Sequence, residues 1–171
     1  MKTLFLAAAL AITSLAFGGW TKTANYAGTW TLDMKQSKDL PRYYDRVKSH
    51  KLIVTQDEKH LNVAVEVDIG QPEPDKFNFL YNLDGDESKT ETMIRTPDGP
   101  KAVPTTLQAA VAEDGKLRIT IRREIQMPDR TLKGVTTEDW ELSADAKTLT
   151  IHRTDDTPRG KMQSEMIFVK N

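Results

Sequence analysis

Cysteine is absent from all 171 residues. That excludes disulfide staples, thiolate nucleophiles, thiolate zinc sites and lipid attachment through an N-terminal cysteine. A large excess of one sign of charge is missing too: Lys and Arg number 24 against 25 Asp and Glu, a formal net charge of -1. Nothing in that balance marks the chain for nucleic acid or an anionic membrane. Histidine is scarce, and His50, His60 and His152 are never spaced to share a metal on one strand or helix face; all three read as surface residues. No G-x-S-x-G, phosphate loop or glycine-rich nucleotide fingerprint occurs, so no catalytic residue, metal ligand or cofactor is assigned and an enzyme is disfavoured. Asp84-Gly85-Asp86-Glu87 offers oxygen ligands but lacks the full calcium-loop spacing, and reads as a hairpin tip.

Long apolar runs are confined to the first segment. Lys2 precedes the stretch Thr3 to Ile12, which exits through Ala16-Phe17-Gly18, the layout of a secretory signal peptide cut after Gly18. The run is shorter than the roughly 20 residues needed to span a bilayer, so no membrane anchor is expected. Residues 19–171 then form one domain of about 150 residues, enough to bury a core without crosslinks. The expected product is a soluble monomer, periplasmic or secreted, with Trp20 on a loose N-terminal tail.

Beyond that segment the chain has a period of two almost throughout. Leu52 and Val54, then Leu61, Val63, Val65 and Val67, then Phe77, Phe79, Tyr81 and Leu83 alternate with polar residues, as half-buried strands do. The pattern returns in Leu107, Ala109 and Val111, in Leu117, Ile119 and Ile121, in Trp140 and Leu142, in Leu149 and Ile151, and in Met162, Met166 and Phe168. Turn residues separate these runs, among them Pro97-Asp98-Gly99-Pro100, Glu113-Asp114-Gly115, Pro128-Asp129-Arg130 and Thr157-Pro158-Arg159-Gly160. With Gly28 to Met34 at the start, the reading is an all-β antiparallel up-and-down meander of eight to ten strands, closed into a barrel to remove its edges. One stretch differs: Asp39 as an N-cap, Pro41 in the first turn, and Leu40, Tyr43 or Tyr44, and Val47 at helical spacing predict a short helix or lid loop between the first two strands.

Gly28-Thr29-Trp30-Thr31-Leu32-Asp33 with Ser37-Lys38, and the closing Trp140-Glu141-Leu142-Ser143 with Lys147-Thr148-Leu149-Thr150, resemble the opening G-x-W strand and last hairpins of calycin barrels, especially small exported bacterial lipocalin-like proteins. The likeness spans Tyr26 to Lys170. It implies a calycin-like barrel that binds a small molecule, with Trp30 packed at the closed end beneath a basic residue from a late strand, here matched loosely by Arg153. Fold does not fix function.

Matching apolar faces across hairpins sets registers, because a slip of one residue turns every side chain over. Leu142 opposite Leu149 places Trp140 opposite Ile151 and Glu138 opposite Arg153. Trp140 opposite Ile121 places Glu138 opposite Arg123, and Val111 opposite Leu117 places Thr105 opposite Arg123. A polar rung results, Thr105, Arg123, Glu138 and Arg153, extended by Ser164, with two guanidiniums against one carboxylate. Beside an apolar wall of Phe77, Phe79, Tyr81, Trp140 and Phe168, such a rung suits an anionic head group with an apolar tail; a plainer reading leaves it solvated at a barrel mouth.

The leading function is thus an exported carrier or sensor barrel for a small hydrophobic or amphipathic ligand, with Arg123, Glu138, Arg153, Thr105, Trp140, Phe77, Phe79 and Tyr81 as ligand-binding residues. The alternative is an interaction or inhibitor module acting through its outer surface around a filled barrel. An isomerase or hydrolase on the same scaffold comes third. A cavity above about 300 Å³ separates the first from the second.

Overall fold

A computed structural model describes residues 24–96, 99–112, 115–127 and 130–171; the signal-peptide assignment to residues 1–18, the cut after Gly18 and Trp20 lie outside them. Its strands are β1 (Gly28–Leu32), β2 (Ser49–Gln56), β3 (His60–Asp68), β4 (Asp75–Asn82), β5 (Ser88–Thr96), β6 (Gly99–Val111), β7 (Leu117–Gln126), β8 (Thr131–Leu142), β9 (Thr148–Thr157) and β10 (Gly160–Lys170). They form one antiparallel sheet in the order β4-β3-β2-β1-β10-β9-β8-β7-β6-β5. Every neighbour in the sheet is a neighbour in the chain except β1 and β10, whose ladder joins the two ends of the meander through Trp30↔Lys170, Thr31↔Val169 and Leu32↔Phe168. The result is the expected all-β, nearly closed calycin-like barrel.

Closure is incomplete at one seam. β4 and β5 follow each other in the chain yet are the two edges of the sheet, so Asp84-Gly85-Asp86 does not cap a hairpin as its sequence suggests. Gly85, at φ +91°, turns the chain there, and its carbonyl accepts a hydrogen bond from Gln108 Nε2 at 2.9 Å. The Ser88 hydroxyl donates across to the Leu80 carbonyl at 3.3 Å. Side chains thus bridge part of the seam that backbone pairing leaves open.

The inward face is the one the alternation picks out. Trp30, Leu52, Val54, Val63, Phe79, Leu107, Ile119, Ile121, Trp140, Leu149 and Ile151 are buried, and Val65, Phe77 and Leu142 pack partly buried against them. Met162 departs from its expected place: it is 44% exposed, paired with Asp155 near the far end of the β9-β10 hairpin, beyond the reach of the core.

The closed end is built around Trp30, which has no exposed surface. Its indole N–H donates to the Tyr26 carbonyl at 2.9 Å. The Tyr26 hydroxyl donates to the Trp140 carbonyl at 3.1 Å and accepts from the Leu117 N–H at 3.3 Å, so two aromatics fill this end with their polar atoms satisfied. The basic residue over Trp30 is Lys170, whose ammonium lies 5.0 Å from the ring centroid. Arg153, the residue matched from sequence, lies elsewhere, because Trp30 pairs with the last residue of β10 and not with β9.

The connection from β1 to β2 holds a one-turn 3-10 helix, Arg42–Arg46, and no longer helix. Pro41 occupies its N-cap position without a side-chain cap, while Asp39 adopts φ 53°; a left-handed Asp39 breaks the turn that would have let it cap. The preceding strap is tied to the barrel by paired backbones of Lys38 and Glu165 and by the Lys38–Glu165 ion pair at 2.8 Å. Tyr44 and Val47 tuck inward, and Tyr43 remains 49% exposed.

Candidate functional site

Between the packed closed end and this lid lies a cavity of about 310 Å³. Its walls are mostly apolar: Leu52, Val63, Val65, Phe77, Phe79, Ile121, Trp140, Ile151, Met166 and Phe168 face it from β2, β3, β4, β7, β8, β9 and β10. Polar groups enter from two directions, Thr92, Arg123, Glu138 and Arg153 from the β5 to β9 side, and His50 with Tyr43 and Tyr44 from the lid side. Few polar groups on an apolar wall are the usual composition of a small-molecule pocket.

Arg153 is fully engaged. Its Nη1 donates to Glu138 Oε1 at 3.0 Å, while Nε and Nη2 clasp the two carboxylate oxygens of Asp155 at 2.8 and 2.9 Å. Glu138 uses its other oxygen to accept from the Trp140 indole N–H at 3.0 Å, and Asp155 Oδ1 also accepts from the Thr136 hydroxyl at 2.6 Å. Burial works against the Arg153 charge, but Glu138 and then Asp155 outweigh it and raise its pKa above the ordinary guanidinium value. Burial likewise opposes ionisation of Asp155, and the hydrogen bond and charge of Arg153 nevertheless hold its carboxyl below the usual range.

Arg123 is differently placed. Its Nε donates to the Thr92 hydroxyl at 3.3 Å. Thr105 donates to the Val103 carbonyl at 3.1 Å, so its hydroxyl accepts from Thr92 across 2.8 Å, and a directed chain runs from guanidinium to backbone. Among the described residues no carboxylate ion-pairs with Arg123, and its terminal nitrogens have no hydrogen-bond partner. Burial, and after it the charge of Arg153, lower its pKa from the guanidinium norm.

The sequence-derived rung is thus correct in two pieces and misjoined. Thr105↔Arg123, Glu138↔Arg153 and Arg153↔Ser164 pair as expected. Between β7 and β8, however, Trp140 faces Leu117 and Arg123 faces Gly134, a slip of four residues from the expected Trp140 opposite Ile121. An even slip keeps every side chain on its own face, so Arg123 and Glu138 still reach one cavity without being partners. Thr105 is buried behind Thr92 and does not line the cavity. The expected surplus positive charge on two guanidiniums is also corrected. Asp155 is a second carboxylate in the cluster, and the spare donors belong to Arg123 alone. Trp140, Phe77, Phe79 and Tyr81 line the cavity as expected.

His60 and His152 are exposed as read, but His50 is buried at 8% exposure. Its ring lies between Tyr44, stacked at 5.9 Å, and Phe168, edge-on at 5.3 Å. The Tyr44 hydroxyl and His50 Nδ1 share a hydrogen bond of 3.0 Å. Burial, then the nearby Arg153 charge, depress the His50 pKa to about 4; burial and Tyr43 push the Tyr44 phenol up. His50 sits two residues before Leu52 on the same strand, so the alternation that placed Leu52 and Val54 inside also carried the signal for His50.

No protein-family model matches this chain, and no curated protein matches it. Among solved structures, it is similar to zebrafish ileal bile acid-binding protein complexed with cholic acid, with a TM-score of 0.50 at 13% identity, covering 85% of this chain and 98% of that one. At that identity the likeness is one of fold, and it agrees with the calycin-like barrel formed by the ten strands.

Proposed function

We propose that this protein is an exported carrier or sensor barrel that holds a small, mainly apolar molecule with an anionic head group inside the barrel. The observation that carries the reading is Arg123: a guanidinium with unused donors on an apolar cavity of about 310 Å³. An anion supplied by the ligand would give it the partner that the chain withholds. Phe77, Phe79 and Tyr81 line the same cavity from β4 and suit the tail. Arg153 has a different role, holding Glu138 and Trp140 in place. The similar fold of a protein complexed with cholic acid supports an interior ligand. An open interior weighs against the module that acts only through its outer face. The volume lies at the lower end of the usual range for small-molecule sites, which favours a compact ligand over a long-chain one.

Titration calorimetry of the wild type and Arg123→Met with decanoic acid and decanol tests this. Methionine keeps most of the stem and removes the donors, so affinity for the acid should fall about ten- to a hundredfold while affinity for the alcohol stays nearly constant. Equal losses for both ligands, or no binding of either by the wild type, would overturn the reading.

A further inference from the structure

His50 offers a polar atom for which an Arg123-bound acid alone has no use. Its Nε2 is buried and has no hydrogen-bond partner among the described residues. The residue lines the cavity. Asn62 Oδ1, the other unpartnered buried polar atom, belongs to a residue on the opposite face of its strand and does not line this cavity. An unpartnered buried ring nitrogen destabilises the fold unless something in the cavity bonds to it.

The ring is set in place for such a contact. Tyr44 holds Nδ1, and the flanking Tyr44 and Phe168 rings fix the plane, leaving Nε2 as the free end. Burial keeps the imidazole neutral at physiological pH, so it adds no second cation to Arg123. Metal ligation lacks support, since among the described residues no group of three metal-binding side chains comes together. Whether Nε2 donates or accepts depends on the tautomer shared with Tyr44. A hydroxyl does both and satisfies either one.

We infer that His50 Nε2 is a second polar contact for the ligand, which selects an apolar acid bearing a hydroxyl group away from its head group. The inference rests on the proposed function, with Arg123 on the acid and His50 on the hydroxyl.

The test uses decanoic acid and its isomers hydroxylated at successive chain positions, titrated into the full-length protein and into His50→Phe, which keeps an aromatic ring between Tyr44 and Phe168. At least one isomer should bind the wild type about five- to tenfold more tightly than decanoic acid, and in His50→Phe that preference, read as the ratio of the two affinities within the same protein, should fall to about one. The same isomer should shift the NMR resonance of His50 Nε2 in the wild type, a readout independent of whether the variant folds. If decanoic acid binds in an Arg123-dependent way but no isomer is preferred, or the preference survives in His50→Phe, the inference fails and the proposed function stands. If no acid binds at all, the proposed function itself fails.

Discussion

Replacing Arg153 with leucine removes the centre of the ion cluster and leaves its two carboxylates behind. The side chains of Arg153, Glu138 and Asp155 are only 25%, 12% and 18% exposed, so water can re-solvate them only in part. Removing one partner of a buried pair costs about 3 to 5 kcal/mol. The residual exposure, and the bonds that Trp140 and Thr136 still donate, place this case at the lower end, about 3 kcal/mol. For a domain of this size that corresponds to a fall in Tm of roughly 6 to 12 °C. The loss should also depend on pH. In the wild type the Asp155 carboxyl is held below its ordinary pKa, so it contributes stability above that pKa and loses it as the pH falls through the folded value. In the variant, burial without Arg153 favours the protonated acid, and the gap between the two proteins should narrow below about pH 5. Urea unfolding across the acid range measures this directly, and adding Asp155→Asn to Arg153→Leu should restore part of the loss. A deficit under about 1 kcal/mol at neutral pH is what a solvated surface pair gives. That result, or a deficit unchanged with pH, would refute the cluster as described.

Phe79→Ala should cost about 3 kcal/mol in chemical denaturation, the low end for a core aromatic because the ring already borders a cavity. Leu80→Ala, one residue on and 53% exposed, should stay within about 0.5 kcal/mol of the wild type. His50 adds a second pH effect: its folded pKa of about 4 lies below the unfolded value of about 6.5, so the unfolded chain binds more protons between them and stability should fall as the pH drops through that window, by about 3 kcal/mol in all. His50→Phe should lack that slope, and an identical slope in the variant would mean that His50 is solvated.

The barrel was legible because alternation survives at almost every strand, and the residues it selects form one face. β5 carried the weakest signal, since Ser88–Thr96 is mostly polar, and the seam it forms with β4 could not be foreseen from a turn sequence that reads as a hairpin. The misjoined rung has a specific cause. Apolar matching cannot distinguish Leu117 from Ile121 as the partner of Trp140, because both lie on the inner face. The turn could have decided it: in the sequence, Pro128 and Asp129 stand midway between Gln126 and Thr131, and a hairpin centred on them gives the observed Leu117↔Trp140 pairing. His50 and Asp155 were overlooked although both are in phase with inward residues, His50 with Leu52 and Asp155 with Arg153. His50 was read as surface by type, although Arg123, Glu138 and Arg153 were placed inside by their period, and in a barrel with an open interior the period outweighs the type.

The two ends of the barrel divide stability from recognition. At the closed end Trp30, Leu61, Leu117, Ile119 and Leu149 have no exposed surface, and the indole of Trp30 and the hydroxyl of Tyr26 are both bonded. At the lid end the costs accumulate: an imidazole nitrogen and two guanidinium nitrogens with no partner among the described residues, and Asp39 held at a positive φ in the strap. A core that only had to fold would gain by replacing His50 and Arg123 with apolar residues of similar volume. Such violations of packing rules are expected where a site has to meet something other than its own chain. Here the two incompletely bonded polar groups, Arg123 and His50, border the same apolar cavity, and one bound molecule with an acid and a hydroxyl would satisfy both.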